Sequence, residues 1–271
     1  MASIIFVGGF GASVKYSEAM CMNLQRLTLR KVHNFSLCHG LTIEEECQAV
    51  LNALPNTSSS YVMMGFSTGC LIAMSLSRQL TTEQIILINP AEVLTRLNRN
   101  TLDFLVGGRV ESDRNIATFV PIMKREGYSP STLSNIWFVV KWVWWAAMLL
   151  IGKKRIAEWY YVKFAKGFNE PRADELQRIV FSSRPIDDLK KTLVECILKP
   201  SLQKMIAERD HRVFIVQGYD DLLYIPYVRA IYDRYKNVTL HRTPGDHHMI
   251  YHHPGTVSQK IAALIASKLP F

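Results

Sequence analysis

The first third of the chain alternates short apolar runs with stretches of helical periodicity. Ser3 to Val7 is an apolar run halted by Gly8-Gly9, the pattern of a strand buried on both faces. Lys15 to Leu27 repeats its apolar positions at helical spacing, and Val32 to Leu37 reads as the next strand. Thr42-Ile43-Glu44-Glu45 is a capping box, with a hydroxyl at the N-cap and a carboxylate three residues on; it opens a helix to about Leu54. Pro55 to Ser60 is a polar loop. Tyr61 to Met64 is a strand, Cys70 to Leu80 a helix, and Gln84 to Asn89 an apolar strand stopped by Pro90. Alternation of this kind predicts a mostly parallel sheet with helices on both faces.

The rhythm then changes. From residue 92 to residue 210 only helix-like periodicity is seen, divided by Gly107-Gly108, Gly127, Pro130, Gly152, Pro171, Pro185 and Pro200. Strand and helix resume with Val213 to Gln217, a helix around Tyr227 to Tyr235, the strand Val238 to Arg242 and a last helix Thr256 to Lys268. The expectation is one α/β core in two parts, residues 1–91 and 211–271, interrupted by a helical cap insertion at 92–210.

Gly65-Phe66-Ser67-Thr68-Gly69 falls at the junction between an apolar strand and a helix. A serine there projects its hydroxyl above the sheet end, and flanking glycines relieve the crowding of so tight a turn. A plain glycine-bounded turn with a capping serine is the bland alternative. With its strand and helix in place, Gly-x-Ser-x-Gly resembles the nucleophile elbow of the α/β-hydrolase superfamily, and the resemblance covers about residues 3–91 and 212–268. Val7-Gly8-Gly9-Phe10-Gly11-Ala12-Ser13 is similar to the turn after an early strand of that family, although Gly8 stands where histidine is common. The resemblance implies that Ser67 is the nucleophile and that the backbone N–H groups of Phe10 and Thr68 form the oxyanion hole. A glycine-rich turn also suits a phosphate, but the spacing fits neither GxGxxG nor GxxxxGK[ST].

A serine hydroxyl needs an imidazole to take its proton and a carboxylate to orient that imidazole. In the family these follow the serine in the order acid, then histidine, each on a loop after a strand. Gly218-Tyr219-Asp220-Asp221 follows the strand ending at Gln217 and resembles the family's acid turn, which implies Asp221; Asp220 is the alternative and Glu92 a more distant one. Gly245-Asp246-His247-His248 follows the last strand and is similar to the base loop, most of all in the thioesterase branch. This implies His247 as the base, with His248 as the alternative. His33, His39, His211 and His241 lack such a placement. His247, His248, His252 and His253 suggest a metal cluster, but no HExxH or ligand-spaced carboxylate accompanies them. Neither a metal nor a cofactor is expected.

Composition narrows the partners. At 48% hydrophobic and 20% charged, the 271 residues can bury a real core and are not a disordered chain. The net charge is +9, and residues 92–210 hold 20 Lys and Arg against 14 Asp and Glu, so most of the excess lies in the insertion. No helix-turn-helix, zinc-finger or RNP-like pattern accompanies it, which argues against nucleic acid and for anionic lipid or an acidic substrate. Ile136 to Ile151 is apolar except for Lys141, contains Trp137, Trp142, Trp144 and Trp145, and is followed by Lys153-Lys154-Arg155. A cap helix over an apolar pocket, a monotopic helix at a membrane surface, and a membrane span are all open, in that order of preference. The N-terminus shows no signal-peptide pattern, and five cysteines without a CxxC pair suit a reducing, cytoplasm-like compartment. The sequence-level expectation is a serine acyl hydrolase acting on an ester or thioester with an apolar acyl group. An acyltransferase and a non-catalytic hydrophobic-ligand-binding module are the alternatives.

Overall fold

The computed structural model describes residues 2–55, 60–90, 144–157, 159, 183–198, 202–218 and 235–267. Among the described residues six strands form one parallel sheet in the order β2-β1-β3-β4-β5-β6: β1 (Ser3–Val7), β2 (Val32–Phe35), β3 (Tyr61–Phe66), β4 (Thr82–Ile88), β5 (Val213–Gly218) and β6 (Val238–Thr243). Because every strand points the same way, all loops that follow strands gather along one edge of the sheet, where ligands of open α/β sheets bind.

Side chains alternate across a strand, so each apolar run feeds two cores. Ile5, Val7, Met63, Ile85, Leu87, Val213 and Ile215 enter one, against helices α2 (Ile43–Ala53) and α3 (Gly69–Leu76). Ile4, Phe6, Val62, Met64, Ile86, Ile88, Phe214 and Val216 enter the other, against α1 (Val14–Thr28) and the C-terminal helix. The capping box forms as its sequence predicts: Glu45 N–H donates to Thr42 Oγ1 at 3.2 Å, and Thr42 N–H donates to Glu45 Oε2 at 2.7 Å.

Between β4 and β5 the described residues are helical and contain no strand: α4 (residues 144–150), α5 (154–157), α6 (Ile186–Leu193), a π-helical turn Val194–Leu198, and α7 (Leu202–Ala207). They add a third apolar cluster of Trp145, Ala146, Leu149, Ala157, Leu189 and Leu193, whose contact with the sheet domain is Phe10, in the loop after β1. No helix among the described residues is long and apolar enough to cross a membrane. Trp137 and Trp142 lie outside the described residues, as does the helix expected around Tyr227.

After β6 come the short helix α8 (Met249–His252) and the longer α9 (Pro254–Ala266). The final helix begins two residues before the sequence pattern suggests, because Pro254 occupies its first turn, where a missing N–H costs nothing. The Cys70–Leu80 expectation was too long: α3 ends at Leu76, and turns carry the chain on to Leu80.

Candidate active site

The elbow between β3 and α3 is tight enough to require its glycines. Ser67 has φ of +53°, a left-handed conformation uncommon for a residue with a side chain. A Cβ on Gly65 would lie 2.5 Å from Cys70 Cα, and one on Gly69 only 2.2 Å from Val7 O. Gly9 passes so close that a Cβ there would lie 2.7 Å from Ser67 Cβ. Ser67 N–H donates to Ile88 O at 2.9 Å, which fastens the turn to β4. Strain of this kind persists only where the surroundings hold it, and such residues cluster at functional sites.

Ser67 and His247 come together across 180 residues of chain. His247 Nε2 lies 3.2 Å from Ser67 Oγ, both side chains are buried, and the Phe66 ring packs against the imidazole with centroids 5.1 Å apart. The loop carrying His247 is held at its backbone. Asn89 Nδ2 donates to Asp246 O at 3.0 Å and to His247 O at 3.1 Å, while its Oδ1 accepts Gly218 N–H at 2.9 Å. One fully buried amide thus ties the ends of β4 and β5 to the base loop. Gly218 must be glycine for the same reason: a Cβ there would lie 2.4 Å from Gly245 O.

His248 points elsewhere. Its Nδ1 is hydrogen-bonded to the Tyr16 hydroxyl on α1, and burial holds the imidazole neutral, with its pKa pushed down to about 3. The Asp246 carboxylate accepts His248 N–H at 2.9 Å and faces His252 Nδ1 at 3.4 Å. Burial works to raise that carboxyl, but the His252 hydrogen bond and the surrounding imidazoles outweigh it and bring it below the usual range. These histidines therefore support one another and the loop, and no cluster able to hold a metal occurs among the described residues.

Thr68 directly follows Ser67, and Gly9, the neighbour of Phe10, passes beside it. Thr68 is buried at the N-terminus of α3, where free amides and the helix dipole favour negative charge. Phe10 follows Gly9, and its ring is clamped edge-on between His39, centroid distance 5.3 Å, and Trp145, 5.9 Å. The structure brings Ser67 and His247 together, with Thr68 next to Ser67 in the chain and Phe10 on the loop after β1, whereas Asp221, Asp220 and Glu92 lie outside the described residues.

Sequence pattern alone passed over two residues at this edge. Asn89 was read only as the end of a strand, although its φ of +44° suits an asparagine left at a strand terminus. His39, with φ of +61°, is buried with neither ring nitrogen hydrogen-bonded. Burial, then the nearby Arg184 charge, lowers its pKa to about 4. Its place on the loop after β2, at the same sheet edge as Ser67, was the available signal.

No protein-family model matches the sequence, and no curated protein does. Solved structures do match the fold. An esterase from Exiguobacterium antarcticum superposes with a TM-score of 0.65 at 10% identity, over 98% of this chain and 92% of that one. A hydrolase from Oleispira antarctica gives 0.64 at 14% identity, over 99% and 92%. A carboxylesterase from Nitrososphaera gargenis gives 0.57 at 13% identity, over 98% and 90%. With a parallel sheet in this order, a strained serine elbow after β3 and these likenesses across nearly the whole length, the chain has the α/β-hydrolase fold.

Proposed function

We propose that the protein is a serine acyl hydrolase that cleaves an ester or thioester bearing an apolar acyl group. The observation that carries this reading is the approach of His247 Nε2 to Ser67 Oγ, 3.2 Å at a left-handed elbow. A serine and an imidazole at that distance are a nucleophile and its base.

In the proposed reaction Ser67 Oγ attacks the acyl carbonyl while His247 takes the hydroxyl proton. The N–H groups of Phe10 and Thr68 hold the oxyanion. Collapse of the tetrahedral intermediate expels the alcohol or thiol, which receives its proton from His247, and leaves an acyl-serine. Water, deprotonated by His247, then attacks that acyl group, and the carboxylic acid departs with Ser67 restored. Asp221 is the proposed orienting acid, three residues beyond Gly218, whose backbone abuts the base loop. Oxygen and sulfur leaving groups pass through the same intermediate, so the geometry accommodates both. The apolar acyl preference is supported by the cluster of Trp145, Leu149, Leu189 and Leu193 packed over Phe10. The esterases and hydrolases among the structural neighbours support the reaction class.

The test is labelling with a fluorophosphonate probe and peptide mapping, beside a panel of short and long acyl esters and thioesters. The label is expected on Ser67 and absent from Ser67→Ala, with turnover reduced by about three to six orders of magnitude. His247→Ala is expected to share that loss, whereas His248→Gln keeps most activity because its ring is turned to Tyr16. Unchanged turnover in Ser67→Ala would end the reading of Ser67 as the nucleophile, and absence of both labelling and turnover in the wild type would favour a binding module.

A further inference from the structure

Helix α4 presents two apolar faces where one would suffice. At about 100° per residue, Trp145, Ala146 and Leu149 share the side that packs against Phe10 and α6. The opposite side carries Trp144, Ala147, Leu150 and Ile151, all of them apolar, with Trp144, Leu150 and Ile151 exposed, while Met148 packs against the inner cluster. Soluble helices place charged and polar residues on that side. Beyond the Gly152 turn the exposure continues at Ile156 and Trp159, the latter 56% exposed and Ile151 61%. Five exposed large apolar side chains within sixteen positions are more than the scattered single residues of an ordinary surface.

Charge surrounds the same turn. Lys153 and Arg155 are exposed, and Lys154 Nζ is spent on a 2.6 Å hydrogen bond to Arg184 O, which seats the turn on the segment before α6. Lys190 Nζ on α6 lies 3.5 Å from the point where a Cβ on Gly152 would sit. Between residues 144 and 159 the sequence offers Glu158 as its one acid, against Lys153, Lys154 and Arg155.

From this we propose that the outer face of α4 and α5 docks on an anionic lipid bilayer. Trp144, Leu150, Ile151, Ile156 and Trp159 enter the interface, and Lys153 and Arg155 meet the headgroups. Tryptophan is suited to that depth, having an apolar ring and one polar N–H, and basic side chains reach the headgroup layer while their stems stay in apolar surroundings. A protein partner would need complementary acids and an apolar groove; a bilayer supplies both features without any specific shape. The inner face of the same helix rests on Phe10, one residue from the backbone that touches Ser67. Docking therefore sets the catalytic edge next to the membrane, and it stands whether or not the acyl-hydrolase reading holds.

The experiment is co-sedimentation of the full chain with vesicles of phosphatidylcholine alone and with added phosphatidylserine, at low and high salt. Binding is expected to the anionic vesicles and to weaken with salt. Lys153→Gln and Arg155→Gln are each expected to weaken it roughly fivefold. The triple change Leu150→Ser, Ile151→Ser and Ile156→Ser removes apolar side chains from the surface, so the fold is retained, and is expected to weaken binding at least tenfold. Ser67→Ala must bind as well as the wild type, which separates docking from catalysis. Absence of sedimentation, or sedimentation indifferent to the triple change, overturns the proposal. So does a concentration-dependent dimer that the triple change dissolves, because the patch would then be covered by a second copy.

Discussion

The Asn89 side chain makes three hydrogen bonds, all to backbone, from a position with no exposure to solvent. Removing its side chain would strand two carbonyls and one N–H in the interior, each costing about 1–3 kcal/mol if nothing replaces the partner. Asn89→Ala is therefore expected to lower stability by about 2–4 kcal/mol in urea unfolding. Turnover is expected to fall at least tenfold, because the His247 backbone loses its tether. Asn89→Asp discriminates between the two effects. It keeps an acceptor for Gly218 N–H but sets a carboxylate oxygen against the Asp246 and His247 carbonyls, so turnover should fall at least as far as in the alanine variant. Equal activity of Asn89→Asp and wild type would show that the loop holds itself. Nothing in the local pattern around Asn89 foretells these bonds. Their partners are 129 to 158 positions away, and the contacts exist only because β4 and β5 lie side by side.

At the level of the elements, the tightest constraint is the approach of α3 to β1. Gly69 has Val7 O and Gly8 O at 2.2 and 2.4 Å from any Cβ it might carry, and both atoms are backbone. Neither can move without displacing the central strand or the elbow. Gly69→Ala is expected to lower stability by about 2–4 kcal/mol or to prevent folding, read as the midpoint of thermal or urea unfolding. Gly255 supplies the control, since a Cβ there meets nothing within 4 Å. Gly255→Ala, near the start of α9, is expected to hold stability or raise it by up to about 1 kcal/mol. Equal effects at the two positions would mean that crowding at the elbow is not what selects glycine. The same contrast explains what the sequence could reveal. Strands β1, β3 and β5 are buried along their whole length, and apolar runs make up most of each. The elbow was legible because strand, turn and helix are contiguous in sequence. The strand order, the closeness of Gly9 to Ser67 and the seating of α4 on Phe10 were not legible, because each joins segments that no local periodicity connects. The acid loop after β5 had a sequence signal in Asp221 and Asp220, and both lie outside the described residues.

Over the whole molecule, buried neutral histidines give stability a pH dependence whose sign can be worked out. Burial lowers the pKa of His39 to about 4 and lowers that of His248 as well. In the unfolded chain both titrate near 6.5, so between that value and the folded one the unfolded state binds more protons. Stability is then fully present above about pH 6.5 and is lost as pH falls toward 4. Lowering the pH from 7 to 5 is expected to cost about 2 kcal/mol through His39 alone. Asp246, held low by His252 and its neighbours, acts in the same direction at still lower pH, because protonating it removes what the imidazoles gain from its charge. His39→Asn isolates the first contribution. Asparagine cannot titrate here and tolerates the left-handed backbone at φ of +61°. Urea unfolding at pH 7, 6 and 5 should show the variant losing about 2 kcal/mol less than the wild type across that range. An unchanged slope would mean that His39 is protonated in the folded protein and that its ring nitrogens find a partner as the pH falls. A flattened slope would show that the loop after β2 is held at the sheet edge by a neutral imidazole, and that acid loosens the wall against which the Phe10 ring rests.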